Sequence, residues 1–189
     1  MKGLIEMSSN LLATLFEGLD VINLRFIHED GRRSPSIMQL YEDGDAMHDS
    51  VHKYQSQGYH AYFGVAVRDS IEGNGGQDNL LFSRAMFLDI DEVGVTSEEV
   101  DKRATEAGYP TPTFTVLTGG GVHCYWILDQ PADLRNRDQR DDFKKRLQIL
   151  AKAMGGDTSC ADSARILRIP GTINMKPERG RFECEIDID

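Results

Sequence analysis

The spacing of apolar and polar residues predicts a chain in which helices and strands follow one another closely. A repeat near 3.6 residues is typical of a helix with one buried side, whereas alternation or a short apolar run is typical of a strand. Helices are predicted from a Ser8-Ser9-Asn10 start to residue 19, over residues 45–57, from 96 to about 107, and over 138–154. Strands are predicted over residues 21–27, 37–41, 60–67, 85–90, 113–117, 122–128, 166–172 and 182–188. This succession indicates an α+β fold with a mainly antiparallel sheet.

Turn and cap residues divide these elements. Asp30-Gly31 indicates a hairpin between the first two strands. Thr96 and Glu99 form the sequence pattern of a capping box, which predicts a helix start. Residues 69–79 are rich in Gly, Asn, Asp and Ser, so they predict a loop between two strands.

The composition is that of one globular domain. Hydrophobic residues make up 40% of the 189 positions, enough for a core, and no run approaches the length of a membrane span. The three cysteines, Cys124, Cys160 and Cys184, form no CxxC pair. We therefore expect a reduced, intracellular protein without structural zinc. The last residues, 187–189, continue an apparent strand, which suggests a fragment of a longer protein.

The net charge of −10 departs from the basic footprint of most nucleic-acid-binding proteins. Clustered carboxylates that hold cations would account for part of this acidity. The charge is also uneven, because residues 162–181 hold five Arg or Lys against two acidic residues. We expect weak, salt-dependent affinity for DNA.

Three segments carry candidate chemistry, and the first is Asp89-Ile90-Asp91 at the end of an apolar run. Residues two apart on a strand point to the same side, so Asp89 and Asp91 are predicted to project together. Two close carboxylates repel each other unless a cation lies between them, and Mg²⁺ favours oxygen ligands. A strand that ends in a solvated acidic turn would show the same pattern.

The second segment is Thr118-Gly119-Gly120-Gly121-Val122-His123. Glycines allow a backbone to approach a phosphate and direct its N–H groups towards it. His123 begins the next predicted strand, within reach of the same phosphate. A flexible hairpin beside a core histidine is the alternative.

The third segment runs from Gly156-Asp157 to Lys176. It holds two further carboxylates and several cations around a Pro-Gly turn. Cations beside a metal-bound triphosphate stabilise the charge of the leaving pyrophosphate. A surface segment with salt bridges is the alternative, although the turn lies among apolar residues. The residues concerned are Asp157, Asp162, Arg165, Arg168 and Lys176.

In this order, the three segments resemble the motifs of the archaeo-eukaryotic primase superfamily, and most closely the primase–polymerase domains of plasmids, phages and related mobile elements. The resemblance spans residues 62–176, and its most specific part is Arg168-Ile-Pro-Gly-Thr-x-Asn174-x-Lys176. It implies a two-lobed catalytic core with an RRM-like sheet and flanking helices. We expect residues 1–189 to be one such domain, with an N-terminal lobe at 1–80 and a catalytic lobe at 81–189.

The resemblance also assigns roles to individual residues. Asp89, Asp91 and Asp157 match the metal-binding carboxylates, with Asp162 as the second choice for the third ligand. The expected nucleotide-binding residues are Thr118, Gly119, Gly120, His123, Arg168, Asn174 and Lys176. The chain has glycines where eukaryotic members carry extra basic residues, and it has no zinc-binding insertion.

The function that the resemblance implies is template-directed DNA priming or polymerisation from (d)NTPs with two Mg²⁺ or Mn²⁺ ions. The expected partners are a single-stranded DNA template, a primer or initiating nucleotide, and a C-terminal helicase or other replication module; no membrane is expected. The expected setting is the cytoplasm of a prokaryotic host, with the gene on a phage or plasmid.

Two other functions fit parts of the sequence. A phosphatase of the haloacid dehalogenase type would use Asp89 as its nucleophile, and Thr118, a later Lys and the terminal Asp187 and Asp189 could fill its other positions. In that enzyme residues 157–176 would have no role, and 88 residues would precede a nucleophile that normally lies near the start. A nucleic-acid-binding domain without turnover is the other alternative.

Overall fold

The structure is a computed structural model that describes residues 11–73 and 75–187. Its helices are α1 (11–15), α2 (Gly44–Gln55), α3 (Ser97–Glu106) and α4 (Arg137–Met154), with short 3-10 helices at Thr158–Cys160 and Pro177–Arg179. Its strands are β1 (Val21–Ile27), β2 (Ser36–Leu40), β3 (His60–Gly64), β4 (Val67–Arg68), β5 (Leu80–Ile90), β6 (Phe114–Leu117), β7 (Val122–Asp133), β8 (Ile166–Arg168) and β9 (Glu185–Asp187). None of the described helices is long and apolar enough to cross a bilayer.

All nine strands join one sheet in which each pairing is antiparallel. The order is β8-β3-β1-β4-β5-β7-β6-β9, and β2 pairs with the other part of β1. Because β4 pairs with β5 and β3 pairs with β8, strands of both expected lobes form one continuous sheet. The α+β class with an antiparallel sheet is therefore confirmed, while the division into lobes at residue 80 stays a prediction.

Two apolar clusters hold helices against this sheet. The larger contains the apolar side of α1, residues of β1, β3, β5 and β7, and Phe143 and Leu147 from α4. The smaller packs Val100 of α3 and Leu150 and Met154 of α4 against β5 and β7. Helix α4 contributes to both clusters, so it ties the end of β5 to the rest of the domain. Helix α2 has no buried residue, as its polar sequence predicts.

Most predicted elements are present, but several differ in extent. Helix α1 ends at residue 15 rather than 19, and the last strand begins at Glu185 rather than 182. Strands β5 and β7 are longer than the apolar runs that predicted them, and residues 60–67 form two strands. The segment 166–172 is a strand only to Arg168, because a turn at Pro170-Gly171 ends it. The expected helix start at 8–10 and the last residues of the final strand, 188–189, lie outside the described residues.

Candidate active site

A cleft of about 180 Å³ lies where the ends of β5 and β7 face β3, β8 and the segment 172–176. Most of the residues selected from the sequence line it, although they come from segments far apart in the chain. The lining consists of Tyr62, Asp89, Asp91, Thr118, Gly120, His123, Arg165, Ile166, Leu167, Arg168, Asn174 and Lys176.

The acidic wall of the cleft is the end of β5. Asp89 lies directly opposite His123 of β7 in the strand register, so both side chains project from the same face. Asp91 follows two residues later and is exposed, whereas the Asp89 side chain is only 11% exposed. The structure thus brings the two carboxylates of the first segment and the histidine of the second into one site.

Arg165 occupies a position that the sequence analysis did not assign. Its Nη2 donates to Oδ2 of Asp89 at 2.8 Å, and its side chain is 31% exposed. It therefore neutralises one of the two carboxylates on which a cation is expected. The sequence counted Arg165 among the cations of the third segment but gave no sign that it reaches back 76 residues to Asp89.

His123 is buried and neutral. Its Nε2 lies 3.7 Å from Oδ1 of Asp89, and its Nδ1 is a buried atom without a hydrogen-bond partner among the described residues. Burial, and then the positive charges of Arg168 and Arg165, lower its pKa to about 3 against the opposing effect of Asp91. The ring is therefore a neutral hydrogen-bonding group near pH 7.

The glycine hairpin fits tightly against the end of β5. A Cβ at Gly121 would lie 1.9 Å from the backbone oxygen of Ile90, so only glycine allows this approach. Thr118 closes the turn, because both its N–H and its hydroxyl donate to the Gly121 oxygen at 3.0 Å. Gly120 lines the cleft, whereas Gly119 packs on the Phe182 side chain and does not.

The opposite wall of the cleft is cationic. Arg168 is buried, its guanidinium lies 4.9 Å from the centre of the Tyr62 ring, and its Nη1 donates to Nδ1 of His60 at 2.9 Å. Asn174 is also buried, and its Nδ2 donates to the Thr118 oxygen at 2.7 Å, which joins this wall to the hairpin. Lys176 is exposed at the mouth of the cleft.

Asp157 lies beside the cleft rather than in its lining. Gly156 packs so closely on β5 that a Cβ there would lie 2.4 Å from Leu88, and the Asp157 N–H donates to the Asp89 oxygen at 3.1 Å. The Asp157 carboxylate itself caps the 3-10 helix that follows. It accepts from the N–H and hydroxyl of Ser159, both at 2.7 Å, and from the Cys160 thiol, and these bonds lower its pKa to about 2.

Asp162, the second choice for the third ligand, is also a turn cap. Its Oδ1 accepts from the Ala164 N–H at 2.8 Å and its Oδ2 from Nε2 of Gln77. Neither carboxylate lines the cleft, and the roles of Asp157 and Asp162 towards metal stay predictions. Asp157 is closer to the site, because its backbone is bonded to Asp89 and both residues line a small cavity behind the cleft.

The residues present fit a hard divalent cation through their donor chemistry. Within residues 11–73 and 75–187, no three acidic, His or Cys side chains converge as a ready metal site. Mg²⁺, however, keeps several waters and is commonly held by one or two carboxylates together with substrate phosphates. Asp89 and Asp91 at the mouth of a cationic cleft match that kind of site.

Comparisons with known proteins identify a family and several relatives. Residues 74–185 match the model of the family described as the RepB DNA-primase N-terminal domain. A curated replication protein of Clostridium perfringens is 27% identical over 105 residues, which cover 52% of this chain and 26% of that protein. The match thus spans about a quarter of the length of this relative.

Solved structures with the same fold include primases and polymerases. The AEP domain of the primase-polymerase of cyanophage S-2L has a TM-score of 0.73 at 20% identity, with 100% of this chain and 90% of that chain covered. The catalytic domain of primase RepB′ in complex with initiator DNA has 0.66 at 13% identity, covering 99% and 84%. The polymerase domain of Mycobacterium tuberculosis ligase D in complex with DNA has 0.51 at 13%, covering 99% and 80%.

Proposed function

The chain belongs to the family of RepB DNA-primase N-terminal domains, and from this we propose that it is a DNA primase–polymerase, a nucleotidyltransferase that copies a DNA template. This membership also confirms the resemblance to the archaeo-eukaryotic primases that the three motifs indicated. The proposed reaction is the attack of a primer 3′-hydroxyl on the α-phosphorus of a (d)NTP, with pyrophosphate as the leaving group.

The observation that carries the proposal is the separation of charge within one cleft. Asp89 and Asp91 lie on one wall, and Arg168 and Lys176 lie on the other. A nucleoside triphosphate with divalent ions needs both, because carboxylates attract the ions and cations attract the phosphates. A site that bound only the DNA backbone would gain nothing from two carboxylates.

Asp89 and Asp91 are the proposed ion ligands, with Asp157 as the third and Asp162 as the second choice for that position. Bound divalent ions would favour ionisation of the attacking hydroxyl and offset the charge of the triphosphate. Arg165 is bonded to Oδ2 of Asp89, and both oxygens of Asp157 accept hydrogen bonds from Ser159 and Cys160. Because each carboxylate oxygen has two lone pairs, these groups would compete with an ion for the carboxylates without excluding it.

The other wall would bind and orient the triphosphate. Arg168 and Lys176 supply charge-assisted hydrogen bonds, which are shorter and stronger than neutral ones. Asn174 holds the hairpin oxygen of Thr118 and so fixes the distance between hairpin and cationic wall. His123 lines the cleft as a neutral ring that can donate or accept a hydrogen bond.

The partners of this activity are part of the same proposal. One relative of the same fold was solved with initiator DNA and another with DNA, and we propose a single-stranded template and a primer or initiating nucleotide for this chain. The curated relative is much longer than the matched part. A helicase or another replication module in the same polypeptide fits that length.

The phosphatase alternative loses one of its supporting residues. It needed a terminal carboxylate near Asp89, but Asp187 accepts a hydrogen bond from the hydroxyl of Ser97 at the start of α3 and does not line the cleft. Asp189 lies outside the described residues. The segment 157–176 would have no role in that enzyme, yet it supplies six lining residues of the cleft: Arg165, Ile166, Leu167, Arg168, Asn174 and Lys176.

The proposal is tested by incorporation of labelled nucleotides on single-stranded DNA, with and without a primer, in Mg²⁺ and in Mn²⁺. We expect metal-dependent products with the wild-type protein and none with Asp89→Ala or Asp91→Ala. DNA binding by the wild-type protein without any incorporation would instead support the nucleic-acid-binding alternative. A phosphorylated aspartate trapped on Asp89 would support the phosphatase.

A further inference from the structure

Two polar side chains of the first 60 residues hold the segment that carries Asn174 and Lys176. Gln55, at the end of α2, accepts from the Ile173 N–H at 2.8 Å and donates to the Ile173 oxygen at 2.9 Å. His60, the first residue of β3, accepts from the Met175 N–H at 3.1 Å. The sequence motifs of the site begin only after these residues, so neither was selected.

His60 makes a second contact that reaches the cationic wall directly. Its Nδ1 also faces Nη1 of Arg168 at 2.9 Å, while its Nε2 lies 3.4 Å from Oε1 of Glu29. Both the guanidinium and the Met175 N–H are donors, so Nδ1 must be the unprotonated acceptor. The proton of the neutral ring is then on Nε2, where the Glu29 carboxylate can accept it.

The partner of Arg168 is unusual for a buried arginine. Arg168 forms no ion pair with any described residue, in contrast to Arg165, which is paired with Asp89. A carboxylate at the position of His60 would orient the guanidinium but cancel its charge. A neutral imidazole orients it and leaves the charge available. Burial, and then the charges of Arg168 and Lys176, lower the pKa of His60 against the opposing effect of Glu29, which keeps the ring neutral near pH 7.

We propose that His60 is a positioning residue for the triphosphate: through Nδ1 it fixes the Arg168 guanidinium and the Met175 backbone that precedes Lys176, without neutralising either cation. This inference rests on the proposed function, since it assigns the ligand of Arg168 and Lys176. It places part of the machinery for nucleotide binding in the N-terminal residues, ahead of all three motifs. Glu29 supports it by holding the Nε2–H form of the ring.

The test distinguishes the role of Nδ1 as a hydrogen-bond acceptor from the role of the ring in packing. An asparagine side chain carries its oxygen near the position of Nδ1, whereas glutamine places its polar atoms further out, near Nε2. His60→Asn can therefore keep the acceptor for Arg168 and Met175, and His60→Gln cannot. His28→Gln, a half-buried histidine outside the cleft, is the matched control.

The measured quantities are the affinity for dATP with Mg²⁺ by calorimetry, the affinity for a single-stranded oligonucleotide, the melting temperature, and KM and kcat for primer extension. For His60→Gln we expect the affinity for dATP to fall, and KM for the nucleotide to rise, by roughly tenfold. This corresponds to the loss of the charge-assisted hydrogen bond between His60 and Arg168. Oligonucleotide affinity should stay within experimental error. His60→Asn should remain near the wild type and His28→Gln at the wild type. Nitrogen NMR of the wild-type protein should show His60 in the Nε2–H form.

Several results would overturn the inference. Unchanged dATP affinity in His60→Gln would show that Arg168 needs no such partner. Equal losses in His60→Asn and His60→Gln, or parallel losses of dATP affinity, DNA affinity and melting temperature, would show a packing role only. An Nδ1–H ring would contradict the hydrogen bonds themselves. A wild-type protein that binds no dATP would instead count against the proposed function, and the NMR result would still report on the His60 contacts.

Discussion

Replacing Arg165 by glutamine should lower the stability of the metal-free protein and raise its affinity for Mg²⁺. The Arg165–Asp89 pair, at 2.8 Å, is partly buried, with side-chain exposures of 31% and 11%. At an effective dielectric constant of 20, charges this close attract by roughly 4–6 kcal/mol, much of which desolvation offsets. Between the values for exposed and buried pairs, we expect a net cost of about 2 kcal/mol for removing the arginine. For a chain of this size that corresponds to a fall in melting temperature of about 4–8 °C.

Added Mg²⁺ should offset this loss of stability in Arg165→Gln. An ion that binds Asp89 in the wild-type protein competes with the Arg165 guanidinium for the carboxylate, and about 2 kcal/mol of competition weakens binding by up to roughly 30-fold. In Arg165→Gln that competition is absent, so Mg²⁺ and Mn²⁺ should bind more tightly and raise the melting temperature by a larger amount. Titration calorimetry and thermal melts over a range of MgCl₂ concentrations measure both effects.

The controls for this prediction are an exposed arginine and the ligand itself. Arg146→Gln removes a solvent-exposed pair with Asp142 and should leave the response to Mg²⁺ unchanged. Asp89→Asn should lose the response. If Arg165→Gln binds Mg²⁺ no more tightly than the wild type, Arg165 does not compete with the ion for Asp89. If Asp89→Asn is stabilised by Mg²⁺ as much as the wild type, the cation site is not at Asp89.

Two further predictions concern the third ligand and the mouth of the cleft. Asp157→Asn keeps a good cap residue but loses the charge, so it should abolish nucleotide incorporation at little cost in stability, whereas Asp157→Ala should cost about 1 kcal/mol by chemical denaturation. Asp162→Asn should retain incorporation, and the opposite result, with Asp157→Asn active, would exchange the two assignments. Lys176→Ala should lower dATP affinity by about 1.5–3 kcal/mol, the value of one hydrogen bond to a charged group, while Lys145→Ala on the exposed side of α4 should not. Equal dATP affinities in these two variants would place the triphosphate elsewhere.

The part of the site that the sequence predicts well depends on short-range geometry. Residues two apart project to the same side, which places Asp89 and Asp91 in the lining of one cleft, and the glycine turn between β6 and β7 places His123 at the start of β7. Each of these relations follows from strand and hairpin geometry within one stretch of sequence, whereas the position of His123 opposite Asp89 depends on the pairing of β5 with β7. For the same reason the cap of α3 at Thr96, which accepts from the Glu99 N–H, was foreseen from its pattern.

The contacts that the sequence does not reveal join distant residues. Arg165 reaches Asp89 across 76 positions, and Arg168 reaches His60 across 108. Nothing in the local pattern around His60 distinguishes an acceptor for arginine from any other core histidine. Only the pairing of β3 with β8, which places Tyr62 opposite Arg168, brings these residues together.

The predicted length of β5 is too short because polar residues lie inside the sheet. The apolar run predicted a strand from residue 85, but β5 begins at Leu80. Ser83 is buried with its hydroxyl bonded to the Ala85 oxygen at a register shift, and Arg84 pairs with Asp20. Both polar side chains are satisfied by partners that hydrophobic spacing does not show.

The Asp157 assignment shows the limit of motif matching for this chain. Asp157 lies beside β5, because Gly156 packs on Leu88. Yet Asp157 precedes Thr158-Ser159, which is also the pattern of a helix cap, and its carboxylate is bonded in that way. The two roles use the same oxygens, so an ion on Asp157 would compete with the donors of the cap.

The central claim is that one cleft unites metal-binding carboxylates and phosphate-binding cations for template-directed transfer of nucleotides. The most direct test is the incorporation of labelled dNTPs into a primer on a single-stranded DNA template, with wild-type, Asp89→Asn and Arg168→Gln proteins and a range of dNTP concentrations in Mg²⁺. We predict template-dependent extension by the wild type, none by Asp89→Asn, and extension with a raised KM by Arg168→Gln. Extension by Asp89→Asn at the rate of the wild type, or none by a folded wild-type protein in either Mg²⁺ or Mn²⁺, would contradict the account.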